Sequence, residues 1–463
     1  MNHQNVETRT RVIGRDIFDR IALDRPVPFG PAWWDDQLLE LSMGEPAVKL
    51  QLFRFVDVLP QLQTPADITR HLREYFAEAG PAIPGWIRLG LRLLPSHGLL
   101  ASWMAALVRL SARRLARKFI AGSNIPEAIE AIRGLRTRNL AFTVDLLGEA
   151  TVTEEEAELA QNEYLQLLRG LTEAVRLMSD KPLIDSDDCG PIPRVNVSVK
   201  LSALYSQFDA IDPEGTSKAV RQRLRPILLE ARRRGAFVNF DMEQYSAKDL
   251  TLQIFEEILT EPDFRDWPDV GIAIQAYLRD TASDLQRLRA WAERRGTSVA
   301  VRLVKGAYWD YETILANQLG WPVPVWSEKW QSDAAYERLS RYLLENHRWL
   351  RPAFGSHNVR SLAHAMAVAS ELGLPRSAYE IQMLYGMADP IKQALVSMGC
   401  RVRVYTPYGQ LLPGMAYLVR RLLENTANES FLRASFHEQV PVEVLLRDPQ
   451  QGRSLAIPLG QAG

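Results

Sequence analysis

Val299-Ala-Val-Arg302-Leu-Val-Lys305-Gly-Ala-Tyr-Trp-Asp310 joins a β-branched apolar run to a loop rich in functional side chains. The run reads as a buried strand, and Lys305-Gly306-Ala307-Tyr308-Trp309 as the loop that ends it. Buried strands rarely carry an arginine without a partner, so something anionic or electron-rich belongs at the end of this one. Gly306 and Ala307 let that group come close to the backbone. A purely structural pairing of Arg302 with a neighbouring carboxylate is the competing reading of this stretch taken alone.

Seven further runs of the same kind surround it: 142–149, 195–200, 237–243, 270–275, 352–357, 379–384 and 402–405. Amphipathic helical stretches separate them. Eight strands alternating with helices over roughly 300 residues predict an α/β fold, a parallel (β/α)8 barrel. Side chains alternate faces along a strand, so one parity lines the lumen and the other packs under the helices. One parity is apolar, as with Val195, Val197 and Val199 or Val238, Phe240 and Met242. The other is polar or small: Asn196, Ser198 and Lys200; Asn239, Asp241 and Glu243; Gly271, Ala273 and Gln275. An ordinary barrel core is filled with Val, Ile and Leu, so this lumen reads as polar. Near the strands' C-terminal ends stand Glu149, Lys200, Asp241 or Glu243, Gln275, Arg302, His357 and Tyr405, with Leu384 the apolar exception. Barrel enzymes place their chemistry at that end, and the convergence predicts an active site.

After the eighth strand, Tyr417, Arg420, Arg421 and Glu424 fall at i, i+3, i+4 and i+7 on one helical face. Paired guanidinium forks suit a carboxylate or phosphate, while a solvated charged face is the alternative. Before the barrel, residues 1–30 read as a polar, unpatterned arm, and residues 31–120 as a small all-helical domain of four or five helices. Its last helix, from about Gly98 to Phe119, ends in Arg109, Arg113, Arg114, Arg117 and Lys118. It reads either as a basic surface for anionic lipid or, preferably, as a helix packed on the next domain with cations at its C-terminal end. The barrel is expected to span 121–438, with 439–463 a tail or linker.

Composition narrows the classes. The chain has 463 residues, 46% of them hydrophobic and 24% charged, as an ordinary globular protein does. Lys+Arg 55 against Asp+Glu 56 leaves a net charge of −1, which gives no nucleic-acid footprint. Cys189 and Cys400 are the only cysteines, too few for a disulfide framework or a thiolate metal cluster, and a reducing, cytoplasmic location is expected. The first twenty residues lack the apolar core of a secretory signal. Leu99 to Leu110, the most apolar window, is about half the length of a bilayer span, so no transmembrane segment is expected.

With these residues assembled, the sequence resembles the proline dehydrogenase family, in particular the catalytic portion of the bacterial proline utilization A proteins. The resemblance rests on Asp145-Leu-Leu-Gly-Glu-Ala150, Val199-Lys-Leu-Ser-Ala203, Arg302 through Asp310, His357-Asn358, Tyr405-Thr-Pro407 and Tyr417 through Asn425, all in family order. It implies a distorted (β/α)8 barrel that binds FAD and oxidises L-proline to Δ1-pyrroline-5-carboxylate by hydride transfer to flavin N5. The electrons would pass to a quinone at the membrane surface, visited peripherally during turnover.

By resemblance, Arg302 lies beside N5, and Gln275, Val304, Lys305, Gly306, Ala307, Trp309, His357 and Asn358 contact FAD. Ser327, Lys329 and Ser332 match the pyrophosphate and adenosine end, with serine where the family is expected to carry threonine. Lys200, Arg420 and Arg421 would hold the proline carboxylate. Leu303, Tyr308, Leu384, Tyr405 and Tyr417 would surround the ring, with Asp241 close by. Glu149 matches the partner of an arginine gate, and no metal is required. Relatives continue into an aldehyde dehydrogenase domain, so the expectation is either a stand-alone enzyme that hands its product to a separate L-glutamate γ-semialdehyde dehydrogenase or a truncated form. A barrel flavoenzyme acting on hydroxyproline or another small imino acid, and a catalytically silent docking scaffold, are the rival readings.

Overall fold

The computed structural model describes residues 3–23, 51, 54–55, 58–62, 64–78, 98–148, 151–410, 414 and 440–454. Among the described residues three α-helices precede the barrel: α1 (His3–Leu23), α2 (Pro65–Glu78) and α3 (Leu99–Phe119). A fourth, α4 (Ile125–Thr137), leads into it, its first turn capped by the Asn124 side chain.

The barrel strands are β1 (Ala141–Leu146), β2 (Asn196–Val199), β3 (Phe237–Phe240), β4 (Val270–Gln275), β5 (Val299–Val304), β6 (Leu350–Gly355), β7 (Glu380–Leu384) and β8 (Val402–Tyr408). All eight predicted strands are present. They form a closed parallel barrel in chain order, with β1 sealing against β8 on one side and β2 on the other. Among the helices covering it are α5 (Glu154–Arg176), α6 (Pro213–Arg234), α7 (Tyr245–Thr260), α8 (Thr281–Arg295), α9 (Trp309–Leu319), α10 (Lys329–Glu345), α11 (Val359–Glu371) and α12 (Asp389–Ser397). A short α13 (Val442–Leu445) follows. A two-stranded hairpin, Ser186–Asp187 with Gly190–Pro191, precedes β2.

The core lies between sheet and helices. Val197, Val199, Val238, Phe240, Ile272, Ile274, Val301, Leu303, Phe354, Ile381 and Val404 all sit in one apolar cluster, as the alternation predicts. The opposite parity packs the lumen with polar groups. On both flanks of Arg302 the register places alanine, Ala273 on β4 and Ala353 on β6, and these small side chains leave its guanidinium room to cross the barrel.

Two expectations for the N-terminal region need correction. Residues 3–23, read as unpatterned, form a 21-residue helix. Val6, Thr10 and Ile17 are buried, and Ile13 and Ile21 pack against the same core, so the spacing is helical despite the polar composition. This helix lies on α11 and α12. Buried Arg360 of α11 fastens it, donating from Nη1 to Glu7 at 2.9 Å and to the Leu446 carbonyl at 2.9 Å, while Nε donates to Glu337 of α10 at 2.8 Å. In α3 the alanines Ala101, Ala105 and Ala116 face inward with Phe119, whereas Trp103, Leu107 and Leu110 are exposed. The packing reading of α3 therefore accounts for its small residues and not for its large ones. Ala105 joins Phe55, Leu59, Leu62 and Ile68 in a small separate core. Among the described residues no helix is long and apolar enough to cross a membrane.

Candidate active site

Asp241 stands one residue beyond β3, and three other strands reach it through the lumen. Arg302 Nη1 donates to Asp241 Oδ1 at 2.6 Å, and the Tyr405 hydroxyl donates to Oδ2 at 2.6 Å. Lys200 Nζ lies 3.5 Å from Oδ2 and makes a closer ion pair with Asp145. Arg302 Nη2 also donates to Ser198 at 3.1 Å and Nε to Gln382 at 2.6 Å, and its guanidinium lies 5.0 Å from the centre of the Tyr405 ring. Sequence reasoning placed Lys200, Asp241, Arg302 and Tyr405 at one site, and they form one hydrogen-bonded cluster. The carboxylate pairing of Arg302 is present, and its partner Asp241 is part of that cluster.

The electrostatics follow from burial and pairing. Burial works against charge on Asp241, but Arg302 and then Lys200 outweigh it and hold its carboxyl below the usual range. Asp145 is pushed up by burial, against the pull of Lys200, and the nearby Asp241 charge adds to the rise. Lys200 is desolvated too, yet Asp145 and Asp241 together keep it firmly protonated. The Tyr405 phenol is raised well above its ordinary value, first by burial and then by the two carboxylates, so it remains a donor.

Around this cluster the loops after β4, β5 and β6 build a second region. Gln275, fully inside, donates through Nε2 to the Glu243 carbonyl at 3.0 Å, and its Oε1 is buried without a partner among the described residues. The Ala276 and Tyr277 amides donate to the Val304 and Lys305 carbonyls, each at 2.8 Å, which prolongs the β4–β5 pairing into the loops. Gly306 has φ +126°, and a Cβ there would meet the Tyr277 ring, so only glycine passes. Lys305 is paired with Asp333, which Lys329 reaches at 2.6 Å. Burial opposes the Asp333 charge, but the two lysines hold its carboxyl down to about 2, while desolvation depresses Lys305. Ser332 is buried beside Asp333, and Ser327 Oγ donates to Gln331 at 3.2 Å.

Trp309 opens α9 with its indole N–H on the Trp326 carbonyl at 2.7 Å, and Ala307 and half-buried Tyr308 lie next to it in the loop. His357 Nε2 accepts the Leu384 amide at 3.0 Å, which puts the ring proton on Nδ1, and Asn358 caps α11 through the Ser361 amide at 3.2 Å. Leu384 is half-buried at the end of β7.

One predicted residue sits elsewhere. Leu303 shares the parity of Val299 and Val301 and is fully buried in the outer core, so it packs beneath the helices rather than in the lumen. Glu149, Tyr417, Arg420 and Arg421 lie outside the described residues. Asp145, Ser198, Gln382 and Asp333 belong to these networks and received no role from the sequence.

A closed parallel barrel with fixed cations and carboxylates gathered at its strand ends defines a β/α-barrel enzyme. The chain belongs to the proline dehydrogenase family: the family model described as "Proline dehydrogenase" matches residues 128–434, and the one for the "Proline utilization A N-terminal domain" matches 7–119. The bifunctional protein PutA of Klebsiella aerogenes is 30% identical over 364 residues, which cover 77% of this chain and 27% of that protein. Proline dehydrogenase 1 of Bacillus subtilis strain 168 is 28% identical over 317 residues, 68% of this chain and 89% of its own length. A crystal structure of proline utilization A from Bdellovibrio bacteriovorus, inactivated by N-propargylglycine, superposes with a TM-score of 0.88 at 44% identity. That match takes in 98% of this chain and 44% of the other, so the chain spans less than half the length of the bifunctional relatives.

Proposed function

We propose that this chain oxidises L-proline to Δ1-pyrroline-5-carboxylate with FAD as the hydride acceptor, and that the electrons pass on to a quinone at a membrane surface. The observation that carries the reading is the cluster of Lys200, Asp241, Arg302 and Tyr405 inside a barrel of this family. The residues fit a flavin: Gln275 Oε1 is a buried acceptor without a partner among the described residues, and Gly306 holds a conformation in which no side chain fills the loop after β5. Gln275, Arg302, Lys305 and the Gly306 to Trp309 loop would hold the ring, and Lys329, Ser327 and Ser332 the nucleotide end. Bound FAD supplies a two-electron acceptor for the hydride leaving proline C5.

The chain's own groups supply the rest. The ammonium nitrogen must give up a proton to solvent before the hydride can leave, so that its lone pair forms the C=N bond as C5–H breaks. Arg302 sets a fixed positive charge where negative charge collects, with no reorganisation needed at the moment of reaction. Lys200, with Arg420 and Arg421, would fix the substrate carboxylate and so the position of C5. Tyr405 and Leu384 would bound the ring. The product would go to an L-glutamate γ-semialdehyde dehydrogenase activity, and the location would be cytoplasmic with peripheral membrane visits.

The test is the visible spectrum of the purified protein before and after anaerobic addition of L-proline. Flavin bands that bleach with proline, and less with hydroxyproline, support the reading; a protein that cannot be loaded with FAD removes it. N-propargylglycine, named for the Bdellovibrio relative, should abolish proline-dependent bleaching permanently.

A further inference from the structure

We infer that Gln382 and Glu380 of β7 are positioning residues that fix the orientation of Arg302 from below, an inference that rests on the flavin reading proposed above. Nε of a guanidinium can only donate, so it requires an acceptor; Gln382 Oε1 supplies one at 2.6 Å. A glutamine amide can equally well present its NH2, and which end it turns to Arg302 is decided on its other side. There Glu380 accepts from Gln382 Nε2, and a carboxylate can only accept. The amide oxygen is therefore forced toward Arg302.

Glu380 cannot turn away. Arg403 Nε donates to its two oxygens at 2.8 and 3.1 Å, Arg403 Nη2 to Oε2 at 3.0 Å and Arg401 Nε to Oε2 at 3.2 Å. Both arginines are anchored in turn: Arg403 Nη1 on the Phe142 carbonyl and Arg401 Nη1 on the Ser186 carbonyl, each at 2.8 Å. Arg302, Gln382, Glu380, Arg401 and Arg403 are all buried. Gly355 stands beside Gln382 in the register, and a Cβ there would press on Val304 at 2.9 Å and approach Arg302 Cγ at 3.8 Å, so the strand between the two partners is cleared of side chain. A donor meets an acceptor at every joint from the hairpin to Tyr405, and Arg302 stands in the middle, donating on one side to Gln382 and on the other to Asp241. The orientation of its guanidinium is thus set by the barrel floor before any ligand arrives.

The experiment uses the FAD-loaded protein. Gln382→Met keeps the length of the side chain and removes the acceptor. It should lower kcat for proline about tenfold, the loss of one hydrogen bond to a charged group, while KM changes by less than about twofold, because the carboxylate clamp lies elsewhere. The midpoint potential of the bound flavin should become more negative. Gln382→Glu alone sets two carboxylates against each other and should be impaired as well. Wild-type kcat and potential in Gln382→Met would overturn the inference. A wild-type protein that binds FAD and is not reduced by proline instead sinks the proposed reaction, and the potentials still decide the relay.

Discussion

The Tyr405 hydroxyl donates to Asp241 Oδ2 at 2.6 Å, across the lumen from β8 to β3. Arg302 holds the other oxygen of the same carboxylate, so each oxygen has its own donor. Asp241 thus stays ionised inside the barrel because two strands supply hydrogen bonds that water cannot.

Tyr405→Phe removes one of those donors. A hydrogen bond to a charged group contributes roughly 1.5–3 kcal/mol, so kcat/KM for proline should fall about 10- to 100-fold. The hydroxyl is among the groups that depress the Asp241 pKa. The acid limb of the pH–rate profile should therefore move to higher pH in the variant. A profile that falls uniformly without moving would detach Tyr405 from the Asp241 titration.

Asp333 and Glu380 are each held down to about 2, in both cases by cationic partners that outweigh burial. A carboxylate depressed in the folded state contributes stability that is complete above its unfolded value near 4 and is lost as pH falls through the folded one. Two units of depression correspond to about 2.6 kcal/mol for one group. The melting temperature should drop steeply between about pH 4 and pH 2, and Asp333→Asn should flatten that drop while lowering stability at pH 7. Equal slopes in both proteins would exclude Asp333 as a source.

The same substitution leaves Lys305 without its counter-charge. Burial already lowers the Lys305 pKa, and without Asp333 it should fall further. FAD should bind Asp333→Asn more weakly than wild type, and the gap should widen as pH rises and Lys305 discharges. Equilibrium dialysis at neutral and alkaline pH measures it.

Gly306→Ala places a Cβ within 2.4 to 2.5 Å of the Tyr277 ring, in a conformation that L-residues rarely adopt. The strain is on the order of 1–3 kcal/mol. Purified Gly306→Ala should carry less FAD per chain than wild type and melt at lower temperature even without it.

Arg421→Met should raise the KM for proline by orders of magnitude with FAD still bound, since a charge-assisted clamp contributes roughly 1.5–3 kcal/mol per hydrogen bond. An unchanged KM would take Arg421 out of the clamp.

Much of this was legible in the residues. Alternation of β-branched and polar positions located eight strands, because a barrel imposes opposite solvents on the two parities. It also located Lys200, Asp241, Arg302 and Tyr405, which are the polar residues at the upper rim. Attention to that rim is also why the lower partners went unassigned: Glu380 and Gln382 have inward parity in a run where only Leu384 was weighed, and Arg401 and Arg403 repeat the pattern. The same alternation turns Leu303 outward with Val299 and Val301, away from the ring position that the resemblance implies. Asp333 had only the common i,i+4 pairing with Lys329 as a local signal, and its link to Lys305, 28 residues away, leaves no short-range trace. The first helix was hidden by its polar composition. Its buried stripe is narrow because it covers a finished barrel rather than building a core.

Arg360 gives the molecule a mechanical property. One guanidinium holds Glu7, near the start of the described chain, and the Leu446 carbonyl, near its end. A pulling force applied through these two segments would load that side chain and the packing of α1 on α11 and α12 before the strands in between. The first event under tension would be the opening of a clasp, with the barrel still shut behind it.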